Sequence, residues 1–231
     1  MLNENSIEVL NSISSITNSA IISYPVTTIT NDERNIYGNI DFSKIDEDAW
    51  KDFGIMDLSS FLNAISILET PTIEQDNIYI RANDPNSKIE FVTSYPSTLE
   101  DFSADPAIVS TTAAAPSILE VDIDTNLIAK IKKGSSVFKN LRDLFIVKEG
   151  DKVYLKSGNK ETFNRTQNSY TVFLDPTLDK GNDFEIAIPI ENFLSLPSMD
   201  FSMKVKYNEA KDEHRLILEN EIFQFLFTLK N

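Results

Sequence analysis

The side chains that most often do chemistry in proteins are scarce in this sequence. Histidine occurs once, at His214, and cysteine does not occur. His214 follows the charged stretch Lys211-Asp212-Glu213, which predicts a solvated turn residue. No second histidine and no thiol is present to complete a nucleophilic or zinc-binding set. We therefore expect no catalytic residues, no metal and no cofactor.

Nucleotide-binding and hydrolase motifs are missing as well. The sequence contains no GxxxxGK[ST] phosphate loop, no GxGxxG after a strand and no GxSxG elbow. The acidic run Asp46-Glu47-Asp48 lacks the alternating ligand spacing of a calcium loop, so we interpret it as a solvated loop. These patterns predict a protein that is not an enzyme.

The net charge of the chain is strongly negative and unevenly distributed. The 231 residues include 21 basic and 36 acidic ones, for a net charge of −15. Residues 1–100 hold 5 basic and 16 acidic residues, whereas residues 101–231 hold 16 and 20. Most of the surface should therefore repel nucleic acid, and any attraction for DNA should come mainly from the second part.

The sequence favours a cytoplasmic protein without a membrane partner. No stretch approaches the roughly 18–20 apolar residues of a membrane span. The first ten residues, MLNENSIEVL, have neither a basic n-region nor an apolar h-region, so we expect no secretory signal. The lack of cysteine fits a reducing compartment.

A lysine cluster lies on a predicted helix in the second part. The segment TNLIAKIKKGSSVF follows Asp124, an N-cap residue, and its side chains Leu127, Ile128 and Ile131 share one face. The other face carries Asn126, Lys130 and Lys133, with Lys132 beside it and Lys139 and Arg142 following. Spaced lysines without interleaved aromatic residues suit contacts to phosphates. The alternative is an ordinary solvated helix face.

Two helices predicted in the first part have polar faces made of small side chains. In GIMDLSSFLNAISIL, Asp57 caps a helix whose apolar stripe is Leu58, Phe61, Leu62, Ile65 and Leu68, and whose other face is Ser59, Ser60, Asn63 and Ser66. An earlier helix should run from a cap at Ser6 to about Asn18, with Ile7, Leu10, Ile13 and Ile16 inward. Its other side carries Asn11, Ser12, Ser15 and Asn18, together with Glu8.

The order of elements, helix then strands then helix then strands, occurs twice. Met56–Leu62 aligns with Ile188–Leu194 at a separation of 132 residues, and both segments end in Phe-Leu. Between the copies, PSTLEDFSADPAIVSTTAAAPS has three prolines and no periodicity. We predict an α+β chain with a first domain at 1–99, a connector at 100–117 and a second domain at 118–231.

Several stretches resemble the DNA polymerase sliding clamps of T-even-type bacteriophages, relatives of the proliferating cell nuclear antigen. The resemblance is most evident in YGNIDF, in DFGIMDLSSFLNAISIL and in DNIYIRANDPNSKIEFVTSYPSTL. A second patch runs from ILEVDIDTNLIAKIKKG to IVKEGDKVYL. The likeness extends loosely over nearly the whole chain and rests on structural motifs.

The resemblance implies two sliding-clamp domains per chain, with antiparallel sheets outside and two helices per domain inside. Three chains would close head to tail into a homotrimeric ring around duplex DNA, without sequence specificity. The strands near Lys88–Val92 and near Glu161–Leu174 would pair between neighbours. A clamp loader ATPase, the DNA polymerase and other replication or transcription proteins would be partners in the cytoplasm of an infected bacterial host.

The resemblance also implies roles for individual residues. Ser12, Ser15, Ser59, Ser60, Asn63 and Asn126 would line the channel, and Lys130, Lys132, Lys133, Lys139 and Arg142 would face DNA. Phe102, Ile108 and Val109 would lie near an apolar pocket for partner peptides. Related phage clamps have lysines on the first helix, whereas this chain has none before Lys44, so the second domain would supply most of the attraction.

The alternative function is a non-enzymatic phage interaction or structural protein, including an acidic inhibitor that mimics DNA. Such a mimic would bind the basic site of a DNA-binding protein and would not need the lysine cluster.

Overall fold

The computed structural model describes residues 4–45, 51–69, 72–76, 78–137, 141–160, 169–209 and 211–229. The chain divides into two compact units, Met1–Val109 with Glu221–Gln224, and Ser110–Asn220 with Phe225–Asn231. The division falls inside a nine-residue helix, α3, at Pro106–Ala114. No described helix is both long and apolar enough to span a membrane.

The first unit combines two helices with short antiparallel strands. Its elements before α3 are α1 (Glu4–Ser14), β1 (Ala20–Ile22), β2 (Val26–Thr30), β3 (Ile36–Asp41), β4 (Phe53–Ile55), α2 (Leu58–Ile65), β5 (Thr72–Gln75), β6 (Tyr79–Asn83) and β7 (Lys88–Val92). Strand β1 pairs with β4, β2 pairs with β3, and β5, β6 and β7 form a three-stranded sheet.

The second unit has two larger antiparallel arrangements. Its elements are β8 (Ser117–Ile123), α4 (Thr125–Val137), β9 (Asp143–Glu149), β10 (Lys152–Gly158), β11 (Tyr170–Leu174), β12 (Leu178–Asp179), β13 (Phe184–Pro189), α5 (Ile190–Leu194), β14 (Phe201–Asn208) and β15 (Glu213–Glu219). One sheet has the order β11-β10-β9-β13, and in the other β12, β8, β14 and β15 are successive neighbours. Strand β16 (Phe223–Phe227) begins in the first unit and ends in the second.

Each unit has a core built from the apolar faces of its helices and strands. In the first unit, Leu10 and Ile13 of α1 and Phe61 of α2 are at most 1% exposed. In the second unit, Ile131 of α4 and Phe193 of α5 are equally buried. Burying one such side chain contributes about 1.5–3 kcal/mol, so these faces fix how the helices are presented.

Two helices begin at the spacing of the sequence match between Met56–Leu62 and Ile188–Leu194. Helix α2 begins at Leu58 and α5 begins at Ile190, so the two starts are separated by 132 residues. Phe61 and Phe193, which occupy equivalent positions, are each 1% exposed. The helix at 58–65, its cap at Asp57 and the helix at 125–137 are confirmed.

Two local expectations are wrong. Helix α1 begins at Glu4 and ends at Ser14, so Ser6 lies within the helix, fully buried, and does not cap it. His214 lies in strand β15, opposite Tyr207, and is half-buried instead of solvated in a turn. The segment predicted to be an irregular connector also contains the helix α3.

Candidate nucleic-acid interface

The exposed face of α2 is polar, uncharged and closely hydrogen-bonded to its own chain. Ser59, Ser60 and Asn63 are all exposed. The carboxylate of Asp57 caps the helix by accepting from the Ser60 backbone N–H at 2.9 Å, and its second oxygen accepts from the Ser60 hydroxyl at 2.6 Å. These bonds lower the pKa of Asp57. The Ser60 hydroxyl is therefore already donating within the chain.

The serine hydroxyls of helix α1 and of the turn after it also donate to groups of their own chain. The hydroxyl of Ser12, which is half-buried, donates to the Glu8 carbonyl at 3.1 Å, and that of exposed Ser15 donates to the Asn11 carbonyl at 3.4 Å. Asn18, beyond the end of α1, accepts at its side-chain oxygen from the Ser59 N–H at 2.9 Å. The two helices of the first unit are thus joined at the start of α2.

Helix α4 presents the predicted lysines, but they do not all have the same surroundings. Asp124 caps the helix by accepting from the Leu127 N–H at 2.6 Å. Asn126, Lys130 and Lys133 are exposed, and Ile128 and Ile131 are buried on the opposite side. The ammonium groups of Lys130 and Lys133 are therefore placed where a phosphate in solvent can reach them.

Lys132 has a different environment from its neighbours. Its Nζ donates to the Leu196 carbonyl at 2.7 Å, and its side chain is half-buried. Burial lowers the pKa of Lys132. The side chain therefore ties α4 to the segment that follows α5. Arg142 is exposed just before β9, and Lys139 lies outside the described residues.

The three residues predicted near a partner pocket differ in exposure. Val109 in α3 is fully buried, Phe102 is half-buried and Ile108 is 41% exposed. The segment that leads into α3 is held to the first unit by hydrogen bonds. The Ser103 and Thr28 hydroxyls lie 2.8 Å apart, and the Asn39 amide donates to the Pro106 carbonyl at 3.4 Å.

A cleft of about 340 Å³ in the second unit was not predicted from the sequence. Its apolar lining includes Phe145, Ile186, Ala187 and Leu229, and charged side chains also line it: Lys160, Glu185, Asp212, Glu213 and Arg215. These residues come from five separate parts of the chain, so no local pattern marks the cleft.

His214 also lines this cleft, and its ring contacts two aromatic rings. Its ring centroid is 5.3 Å from that of Phe184 and 4.9 Å from that of Tyr207. Burial lowers the pKa of His214, and nearby Asp212 acts in the opposite direction. Burial also raises the pKa of Glu185, another lining residue. An apolar side chain next to a charged group would fit these walls.

Strands β7 and β11, of five residues each, are among the strands that lie at sheet edges in the described part of the chain. Outward-facing Val92 on β7 is 65% exposed, and Phe173 on β11 is 69% exposed. An unpaired edge with exposed apolar side chains is a surface suited to pairing with another strand. The predicted edge at Glu161–Leu174 is described only from residue 169 onward.

Comparison with known proteins finds likeness in structure and not in sequence. No protein-family model matches the sequence, and no curated protein matches it either. Among solved structures, the chain is similar to PCNA of A. fulgidus with the C-terminal region of FEN-1 bound, with 9% identity and a TM-score of 0.66, over 97% of this chain and 94% of that one.

Two further structures give the same result. A PCNA2–PCNA3 complex from Sulfolobus tokodaii matches with 11% identity and a TM-score of 0.65, over 97% of this chain and 95% of that chain. A DNA polymerase III beta subunit from Eubacterium rectale, itself described as putative, matches with 13% identity and a TM-score of 0.63, over 98% of this chain and 62% of that one. The chain therefore has the sliding-clamp fold that PCNA and beta-subunit structures share.

Proposed function

We propose that the chain is a DNA polymerase processivity factor, a ring-shaped sliding clamp of a bacteriophage that encircles duplex DNA and tethers the replicative polymerase. The observation that carries the proposal is the sliding-clamp fold over 97% of the chain. The protein would act without catalysis, because retention on DNA would come from closing around it. Its place of action would be the cytoplasm of the infected bacterium.

The helix surfaces support a channel that holds DNA weakly. Apart from the carboxylate of Glu8, the exposed side chains described on α1 and α2 are short and neutral, and the hydroxyls of Ser12, Ser15 and Ser60 already donate within the chain. Such a surface neither repels phosphates strongly nor binds them tightly. We propose that Ser59, Asn63 and Asn126 line the same channel.

The attraction for phosphates would come from the second unit. Lys130 and Lys133 are exposed on α4, and Arg142 is exposed beyond it. Lysine contacts to phosphates are independent of sequence and are weakened by salt, which suits a protein that must slide. Lys139 stays a candidate, whereas Lys132 would have to give up its bond to the Leu196 carbonyl first.

Ring closure would use the exposed edges of β7 and β11. We propose that β7 of one protomer pairs with β11 of the next, since both strands have five residues and both expose an apolar side chain. A heterologous contact of this kind generates a closed ring when the rotation closes. Three chains of 26.1 kDa would form a homotrimer of about 78 kDa.

Partners would bind through short segments. A. fulgidus PCNA holds the C-terminal region of FEN-1, which supports docking of a polymerase or clamp-loader segment on this chain. The cleft beside His214 and the exposed Ile108 of α3 are the two candidate positions. The cleft volume of about 340 Å³ lies in the range typical of ligand pockets.

The test is DNA synthesis on primed single-stranded DNA with the cognate polymerase and clamp loader. Adding the protein should lengthen the products made in a single binding event. If all components are active and the product length does not change, the proposal fails. A DNA mimic would instead inhibit synthesis or leave it unchanged, and would bind a DNA-binding protein at its basic site.

A second experiment tests the lysine face. Lys130→Glu combined with Lys133→Glu should shorten the time that the protein stays on DNA, without changing its sedimentation as a trimer. The matched control is Lys152→Glu with Lys180→Glu, which makes the same charge change at two other exposed positions of the second unit. Equal losses in both double variants would refute a special role for α4.

A further inference from the structure

A buried lysine on strand β14 has no part in the surfaces described above. Lys206 is 5% exposed, although its neighbours along the strand include exposed Tyr207 and half-buried Lys204. A buried ammonium group is costly to keep unless hydrogen bonds replace the water that it has lost. We therefore expect the ammonium group of Lys206 to have hydrogen-bond acceptors within the protein.

The ammonium group of Lys206 binds the C-terminal end of α3. Its Nζ donates to the Ala113 carbonyl at 3.0 Å and to the Ala115 carbonyl at 2.5 Å. The last carbonyls of a helix have no partner within the helix and carry the negative end of its dipole. A lysine is therefore well matched to this position, even though burial, followed by repulsion from Lys204, lowers the pKa of Lys206.

The pairing of β14 with its neighbour is irregular at Lys206. The pairing of β14 with β8 changes register between Val205, which is opposite Leu119, and Lys206, which is opposite Ser117. An irregularity of this kind bends a strand and redirects a side chain. The backbone and the side chain of Lys206 thus both contribute to the contact with α3.

Helix α3 is short and buries little apolar surface, so a contact at its C-terminal end should contribute to its stability. It is nine residues long, PAIVSTTAA, which is shorter than the roughly 12–15 residues that even favourable isolated helices need in water. Val109 is the one apolar side chain among its described residues that is fully buried. An apolar face alone therefore does not fix this helix.

We propose that Lys206 is the positioning residue of α3: it closes the C-terminal end of the helix and keeps the connector ordered, and this order is required for tight binding of the polymerase. The last part rests on the proposed function, because it assumes that the polymerase binds beside the connector. The first part does not. Lys204 lies two residues away on β14 and binds Glu219 at 2.6 Å, so it provides a matched control.

The experiment is amide hydrogen exchange of the full chain, comparing wild type with Lys206→Met, Lys206→Arg and Lys204→Met. In Lys206→Met, the amides of residues 109–115 should exchange about tenfold faster or more, while those of β9 and β10 keep their protection. Lys206→Arg should restore part of the protection, because it retains a cationic donor. If the amides of α3 exchange equally in Lys206→Met and Lys204→Met, the positioning role is refuted.

A second arm measures binding of the cognate polymerase to the same proteins by surface plasmon resonance. Lys206→Met should raise the Kd several-fold, and Lys204→Met should leave it unchanged. Faster exchange in α3 with an unchanged Kd would overturn the link to polymerase binding. If wild type fails to bind the polymerase while Lys206→Met still loses protection in α3, the proposed function fails and the anchoring role stands.

Discussion

Substituting Gly134 by alanine tests how closely α4 packs against β11, through the change in the free energy of unfolding. A Cβ atom built on Gly134 would lie 2.4 Å from Cδ1 and 2.6 Å from Cε1 of Tyr170, at the start of β11. Carbon atoms in contact prefer about 3.5–4.0 Å. In Gly134→Ala the Tyr170 ring would therefore have to move by about 1 Å, together with the strand that carries it.

Two effects of opposite sign follow from this substitution. Alanine favours a helix interior over glycine by about 1 kcal/mol. Forcing an extra carbon into a packed site costs about 1–3 kcal/mol. Gly134→Ala should therefore leave the free energy of unfolding unchanged or lower it by up to about 2 kcal/mol. In a Tyr170→Ala background, where the ring is absent, the same change should raise it by about 1 kcal/mol.

The assay is a double-mutant cycle from urea denaturation followed by circular dichroism, at one fixed protein concentration. Exposed Ser136 on the same helix provides the control: the difference between Ser136→Ala and Ser136→Gly measures the helix preference without a clash. If Gly134→Ala changes the free energy of unfolding by the same amount in both backgrounds, the close approach of Tyr170 does not explain the glycine.

Three further outcomes are expected. Burial lowers the pKa of His214 below its ordinary value of 6.5, so the unfolded chain takes up the proton more readily, and stability should fall as pH drops below about 6.5. His214→Gln should remove this slope in urea midpoints, and a slope that persists would assign the effect to other groups. Phe173→Asp should reduce the sedimentation coefficient towards that of a monomer, while the exposed control Thr171→Asp has a smaller effect; an unchanged trimer would rule out β11 as an interface. Phe61→Ala should lower the free energy of unfolding by about 3–5 kcal/mol, since Phe61 is 1% exposed and contacts Phe91 edge to face at 5.2 Å. A loss below about 1 kcal/mol would contradict this packing.

Local patterns in the sequence predicted helix α2 because its determinants lie close together. The apolar stripe from Leu58 to Ile65 and the cap at Asp57 are all within nine residues. The short helix α5, 132 residues later, has the same local pattern, since Phe61 and Phe193 are both buried near a helix start. Where the spacing of apolar residues, the capping residue and the segment length all favour a helix, the local sequence is sufficient to predict it.

Helix α3 and the cleft depend on distant contacts, which a local pattern does not contain. The C-terminal end of α3 is closed by Lys206, more than ninety residues beyond Ala113 along the chain, and its small side chains have no clear helical period. The cleft is formed by side chains from five segments. For Ser6, the cap pattern was present, but the helix begins earlier at Glu4, and the hydroxyl lies in the interior.

The lysines show a limit of a different kind. Helical spacing placed Lys130 and Lys133 on the exposed side of α4, and the structure agrees. The spacing could not reveal that Lys132 reaches the Leu196 carbonyl, because that partner follows α5. Identical residue types one or two positions apart can therefore have different roles, one structural and the others available to a ligand.

The exposed edges of β7 and β11 have a practical consequence for handling the protein. Val92 on β7 and Phe173 on β11 are exposed apolar side chains at strand edges, which favour aggregation between chains. The net charge of −15 opposes such association near neutral pH. Near the isoelectric point of about 4.4 this repulsion disappears, and high salt screens it. Precipitation should therefore set in sharply on acidification, and Val92→Lys together with Phe173→Lys should delay it.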